Sequence, residues 1–162
     1  MTQTSDINNL HREYGTTKAT PAVGGSVRGY GDVREIVFDL DLTALTQSEN
    51  VVIDTVFVPS GFMVKEVEIF TETAAATGTA IDLGLIRRDR TTELDYNGLL
   101  AAFPTASMNA AGETNIIRDN TTYDGALIGT TLAYDGLLTC SMTDATAFTA
   151  GALKIWVRFY KP

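Results

Sequence analysis

The sequence holds one cysteine, Cys140, and one histidine, His11. A lone cysteine makes no internal disulfide, so a disulfide-stapled fold is excluded and assembly in a reducing cytosol fits. Transition-metal sites need clustered His, Cys or carboxylates, and His11 and Cys140 are far apart in the chain. Nucleophilic triads need a positioned base, and His11 lies in a stretch too polar to hold one. Basic residues are also scarce: 12 Lys and Arg stand against 20 Asp and Glu, a formal net charge of -8. That balance argues against nucleic acid or an anionic membrane as the main partner. No apolar run approaches the ~20 residues of a membrane-crossing helix. The opening Met1–Asp6 has neither a basic nor an apolar region, so no secretory signal is expected.

What remains is ordinary for a globular protein: 44 % hydrophobic and 20 % charged residues in a chain of 162, enough for one domain with a real core. The clearest pattern is at the end. Leu153, Ile155, Val157 and Phe159 alternate with Lys154, Trp156, Arg158 and Tyr160. Successive strand side chains face opposite ways, so one face is wholly apolar and the other amphipathic. Trp156 and Tyr160 beside Lys154 and Arg158 mark either a subunit interface, where aromatics and arginine concentrate, or a second buried layer.

Residues 1–32 read as an extended arm ahead of a β-domain at 33–162. The arm is polar, with Pro21, Gly24, Gly25, Gly29 and Gly31 against regular structure. Two readings stand: a disordered tail, or an arm that orders on a neighbouring subunit through Leu10, Tyr14 and Tyr30. Beyond it, Ile36, Phe38, Leu40 and Leu42 alternate with Glu35, Val37, Asp39 and Asp41 as a strand. Val51–Val58 is dense in β-branched residues. Pro59-Ser60-Gly61 turns the chain into a strand at Phe62–Phe70, and the two runs suggest a hairpin. The slip between Val64 and Val67 suggests a bulge or an edge. Thr71–Thr79 is expected to be a loop, Ala80–Ile86 a strand, Leu94–Phe103 a short helix stopped by Pro104, and 103–114 a surface excursion. Further strands are expected at Asn115–Asp119, Gly125–Ala133 and Leu137–Met142. The sum is an all-β fold, a two-sheet antiparallel sandwich or barrel of about eight short strands.

Chemistry-bearing constellations are few. Asp39 with Asp41, and Glu66 with Glu68, place paired acids on one strand face, which reads as a solvated face before a glycosidase pair. Asp119 and Asn120 with Asp124 could cup a calcium ion, though their spacing does not match an EF-hand loop. The motif Tyr-Asn/Asp-Gly recurs at Tyr96, Tyr123 and Tyr134, where turn chemistry with positive φ at glycine is expected, ahead of a carbohydrate or calcium role for these loops. The Gly24–Gly29 run does not join a strand to a helix, as a phosphate cradle must. Arg87, Arg88 and Arg90 form the one basic cluster, either a solvated loop or a contact for an acidic partner.

Three stretches resemble the small jelly-roll-like β-sandwich cement, or decoration, proteins of tailed bacteriophage capsids: Val56–Phe70, with its Val-Pro-Ser-Gly; Ala76–Leu85, Ala-Thr-Gly-Thr-Ala-Ile-Asp-Leu-Gly-Leu; and Thr149–Tyr160, Thr-Ala-Gly-Ala-Leu-Lys-Ile-Trp-Val-Arg-Phe-Tyr. The resemblance spans residues 33 to 160. It implies a jelly-roll-like fold, a homotrimer on the outer capsid surface, the major capsid protein as partner, and a mechanical role against internal DNA pressure. It implies no catalytic residue and no cofactor, and synthesis in the host cytoplasm. The partner-binding candidates are Leu10, Tyr14, Tyr30, Arg87, Arg88, Arg90, Trp156 and Tyr160. Other functions open to such a sandwich are a tail-associated or receptor-binding module and a carbohydrate-binding protein.

Overall fold

The apolar alternation of the last stretch folds as expected. In the computed structural model, which describes residues 33–47, 50–52 and 56–162, Leu153, Ile155, Val157 and Phe159 are all buried and the residues between them half-buried. They belong to strand β8, Phe148–Tyr160, which lies inside its sheet between β1 (Arg34–Asp41) and β3 (Met63–Thr77). Strand β6 (Thr114–Arg118) completes this sheet on the far side of β3. The second sheet holds the two-residue β2 (Asn50–Val51), then β7 (Gly136–Met142), β4 (Ala80–Arg87) and β5 (Glu93–Pro104).

The strand orders are β1-β8-β3-β6 and β2-β7-β4-β5, with every paired strand antiparallel. First pairs with last, second with seventh, third with sixth, fourth with fifth. That nesting is the wrapping of a jelly roll. The expected sandwich of about eight strands is therefore present, as a full jelly roll among the described residues. The arm expected at 1–32, with Leu10, Tyr14 and Tyr30, lies outside them.

The two sheets face each other across one apolar core. Ile36, Leu40, Val64, Val67, Ile69, Ile155 and Val157 come from the first sheet; Ile81, Leu83, Leu85, Leu138 and Cys140 come from the second. Burying each large aliphatic side chain is worth roughly 1.5–3 kcal/mol before entropy. The slip in β3 is a bulge: its pairing with β8 shifts between Val64 and Glu66, so both Val64 and Val67 reach the core. β3 is a central strand, so the edge reading falls away.

Several expectations fail for identifiable reasons. Leu94–Phe103 is strand, not helix. Its register against β4 jumps from Leu85↔Asp95 to Leu83↔Leu100, and the extra residues give Leu94, Leu99, Leu100 and Phe103 a spacing that imitates a helix. Thr71–Thr79 is not a loop, because β3 runs on to Thr77, pairing with the start of β8 through three further register shifts. Gly125–Ala133 is not a strand. Its buried Ile128 and Leu132 are carried by turns, and only isolated bridges form there. The proposed hairpin is wrong as well: β2 and β3 belong to different sheets, and Val58 makes only an isolated bridge to Gly136.

The repeated Tyr-Asn/Asp-Gly motif has another cause than turn chemistry. Gly98, Gly125 and Gly136 have no positive φ. An added Cβ would crowd the Leu127 and Asp95 side chains at Gly98, the Leu85 side chain at Gly136, and backbone at Gly125. A Cβ on Gly125 would lie 2.1 Å from the backbone carbon of Gly98. There the segment after Tyr123 lies along the edge of β5, with Ala101 N–H donating to Tyr123 O at 2.9 Å and Leu127 N–H to Gly98 O at 2.7 Å. The connection thus covers an edge strand that would otherwise present bare backbone groups.

Candidate functional site

Two surfaces collect the described candidate residues. The first is the outer face of the β1-β8-β3-β6 sheet. Register sets Glu35 (β1) opposite Arg158 (β8), Arg158 opposite Glu66 (β3), and Glu66 opposite Arg118 (β6), one row of alternating charge across four strands. Arg158 Nε donates to Glu35 Oε2 at 2.7 Å and Nη1 to Glu66 Oε1 at 2.8 Å; Nη2 lies 2.6 Å from Glu68 Oε2. Arg118 Nε donates to the other oxygen of Glu66 at 2.8 Å. Burial pushes the pKa of Glu66 up, but the hydrogen bonds from Arg118 and Arg158 outweigh it and hold the carboxyl below its ordinary value. Hydrogen bonds from Arg158 to Glu66 and Glu35 raise the guanidinium in turn. Nearby, Lys154 Nζ sits 2.8 Å from Asp39 and 3.3 Å from Glu72. The paired acids Asp39/Asp41 and Glu66/Glu68 are therefore engaged with cations or, at Asp41, with the amide and hydroxyl of Thr43.

The next row is apolar except for Glu68. Trp156 stands between Val37 on β1 and Glu68 on β3, and Ile116 on β6 follows Glu68. Val37 and Ile116 are 47 % and 42 % exposed, and Trp156 is half-buried. Among the described residues no second layer covers Trp156. Tyr160, on the same face, sits at the strand's end, its hydroxyl 3.2 Å from Met63 Sδ. Val37 and Ile116 were missed as site residues, although their outward positions follow from strand alternation; nothing in the sequence says that β1 and β6 lie on either side of β8 and β3.

The second surface is the β4–β5 turn, on the other sheet. It carries Arg87, Arg88 and Arg90 together, with Arg90 at φ +60°. The guanidinium of Arg87 lies 3.5 Å from the centre of the Tyr134 ring and that of Arg88 4.2 Å from Phe57. Ser60, Arg87, Arg88, Asp89, Ala133, Tyr134 and Asp135 line an open depression of about 380 Å³. Asp135 accepts Ser60 N–H at 2.9 Å and lies 3.7 Å from Arg88. Asp89 accepts from Thr91 N–H and from the amide and hydroxyl of Thr92, which hold its pKa down to about 2. The structure thus separates Trp156 and Tyr160 from the arginine cluster. Tyr134 and Asp135 were visible in the sequence as part of the repeated motif, but their place beside Arg87 depends on the pairing of β4 with β7.

Among the described residues no group of three or more His, Cys, Asp or Glu side chains could hold a metal ion, and no helix is long and apolar enough to cross a membrane. Asp124, one of the acids considered for calcium, accepts Asn120 N–H at 2.8 Å.

No protein-family model matches the chain, and no curated protein matches its sequence. Solved structures do share its fold. A chain in the capsid of Ralstonia phage GP4 is 15 % identical with a TM-score of 0.50, over 82 % of this chain and 86 % of that one. A chain of the cyanophage Pam1 capsid asymmetric unit is also 15 % identical with a TM-score of 0.50, over 93 % of this chain and 94 % of that one. At this identity the likeness is one of fold.

Proposed function

We propose that this chain is a virion structural protein of a tailed bacteriophage, a cement or decoration protein. In this reading it sits on the outer capsid surface as a homotrimer, binds the major capsid protein, and braces the shell against internal DNA pressure. The observation that carries the reading is the jelly-roll fold, similar over most of the chain to chains in two phage capsids. Three features support it. The core needs no disulfide, since its one cysteine is buried and free. The outer face of the β8 sheet offers a hydrophobic row, Val37, Trp156 and Ile116, bordered by fixed ion pairs, which is the composition of an interface. The acids considered for catalysis are tied to cations or to backbone donors, and we read the chain as non-enzymatic.

A cement protein works by adding many weak contacts at fixed geometry. Each attached subunit of a trimer raises the effective concentration of the next contact. Ordering an arm such as residues 1–32 costs free energy that docking returns, so an arm would add grip only on an assembled shell. Purified particles test the proposal. Cryo-electron microscopy is expected to show many copies outside the shell at threefold positions, and heads lacking the protein are expected to burst at lower temperature. Its absence from particles would overturn the reading; a few copies at the tail would replace it with a tail-associated or receptor-binding role.

A further inference from the structure

The depression beside the β4–β5 turn has no part in the capsid reading. Its volume of about 380 Å³ falls within the range of small-ligand sites, roughly 300–1,000 Å³. Tyr134 is its aromatic wall. Arg87 lies over the ring at 3.5 Å, yet Tyr134 is still 49 % exposed. An aromatic surface left open in a polar hollow offers a place for the C–H face of another ring.

The polar groups around that ring are of both kinds. Arg87 is half-buried, forms no ion pair among the described residues, and has its Nε enclosed with no hydrogen-bond partner. A partly desolvated cation without a counter-ion is costly, and a ring face compensates only part of that. Arg88 is stacked on Phe57 at 4.2 Å and lies 3.7 Å from Asp135 Oδ2, with 59 % of its side chain exposed. Stacking fixes a guanidinium plane, so less freedom is lost when a carboxylate meets it. Asp135 supplies the opposite function. Its Oδ1 accepts Ser60 N–H at 2.9 Å, and Oδ2 has only the long contact to Arg88 among the described residues, so it can accept from a hydroxyl.

Charge narrows the ligand. Around this turn Arg87, Arg88 and Arg90 are offset by Asp89, Asp135 and the exposed Glu93 at the start of β5. A multiply charged anion such as phosphate would meet as many repelling groups as attracting ones. A single carboxylate on a molecule rich in hydroxyls uses the donors and the acceptor together. The geometry points to this depression as a binding site for an acidic pyranose, a hexuronate unit of a polysaccharide. Its carboxylate faces the guanidinium groups of Arg87 and Arg88, its ring lies against Tyr134, and a hydroxyl donates to Asp135. This function is additional to the capsid role and does not rest on it.

Amide chemical shifts of the full chain, followed as methyl β-D-glucuronide is added, test the site. Millimolar binding is expected, with shifts concentrated at Ser60, Arg88, Asp89 and Asp135. Methyl β-D-glucoside lacks the carboxylate, cyclohexanecarboxylate lacks the hydroxyls, and inorganic phosphate lacks the ring. Each is expected to bind at least about tenfold more weakly than the glucuronide. Arg88→Gln and Tyr134→Ala alter exposed side chains, with circular dichroism confirming that each variant folds. Each is expected to weaken glucuronide binding at least about tenfold. No shift at these amides in the millimolar range, or binding that either variant leaves unchanged, would overturn the proposal. Equal binding of the glucoside would overturn the pairing of arginine with carboxylate. Equal binding of cyclohexanecarboxylate would overturn the sugar as ligand in favour of an acidic side chain, and equal binding of phosphate would overturn it in favour of a bare anion. Particles do not enter this readout, so its failure leaves the capsid reading standing, and absence from particles would leave this one standing.

Discussion

Arg158 donates to Glu66 at 2.8 Å from the strand directly opposite, and Glu66 is only 5 % exposed. The pair sits on the outer face of the sheet, yet Glu66 is buried by its neighbours and Arg158 is half-buried, so the bond differs from an ordinary surface salt bridge. Replacing Glu66 with Gln leaves Arg118 to rehydrate and Arg158 with Glu35 and Glu68. We expect a loss of about 3 kcal/mol, the lower end for breaking a buried pair, read from chemical unfolding.

The same residue sets an acid dependence. Its folded pKa is lowered from an ordinary 4.5, so the unfolded chain binds the proton more readily. The stabilisation is fully present above about pH 4.5 and is lost as pH falls through the folded value. Asp89, held to about 2, has the same sign, as do Asp41 and Asp144, each lowered by hydrogen bonds from nearby threonines. Glu66→Gln is therefore expected to reduce the slope of stability against pH below 4.5 without abolishing it. An unchanged slope would refute the assignment.

Ile155 and Trp156 are neighbours on β8 with opposite duties. Ile155 is fully buried, and Ile155→Ala is expected to cost about 3–4 kcal/mol through lost contacts and a cavity. Trp156 lies on the outer face, and Trp156→Ala is expected to cost about 1 kcal/mol in the isolated chain while abolishing attachment to particles. Equal losses of stability in the two variants would show that Trp156 is a core residue and not a contact.

The β8 face was legible because strict alternation over Leu153–Phe159 admits one periodicity. β1, β4 and β7 were legible for the same reason. What failed was local irregularity. The register jump in β5 gave an extended strand a helical spacing, and the threonines and alanines of β3 looked like a loop although they pair with β8. Of the candidate site, Arg87, Arg88 and Arg90 were found as a cluster, because all three lie in one turn. Tyr134 and Phe57, which hold two of those side chains in place, come from other parts of the chain. Their meeting is a property of the jelly-roll wrapping, which alternation alone does not specify.

Glycine supplies a test of the close approach between β5 and the segment that covers it. Gly125→Ala would place a methyl group 2.1 Å from Gly98 backbone. Backbone cannot swing aside as a side chain can, so the segment must lift. We expect a loss of about 3 kcal/mol and faster amide exchange at Ala101 and Leu127, whose N–H groups hold the two stretches together. Gly112→Ala is the control. Nothing lies within 4 Å of its added Cβ, and only its φ of +89° is strained, for about 1–2 kcal/mol. Equal exchange rates in the two variants would contradict the packing argument.

Cys140 reports on the core itself. It is 1 % exposed, and burial, with a smaller contribution from the charge of Asp82, pushes its thiol up to about 12. The thiolate is the reactive form, so at pH 8 the folded protein is expected to resist thiol reagents, and unfolding to expose one thiol per chain. Labelling of the native protein should then follow the rate of core opening. It should quicken in Ile155→Ala by more than in Trp156→Ala, since only the first substitution loosens the interior. Rapid stoichiometric labelling of the native wild type would mean that β7 does not lie inside the sandwich, and the strand order itself would have to be redrawn.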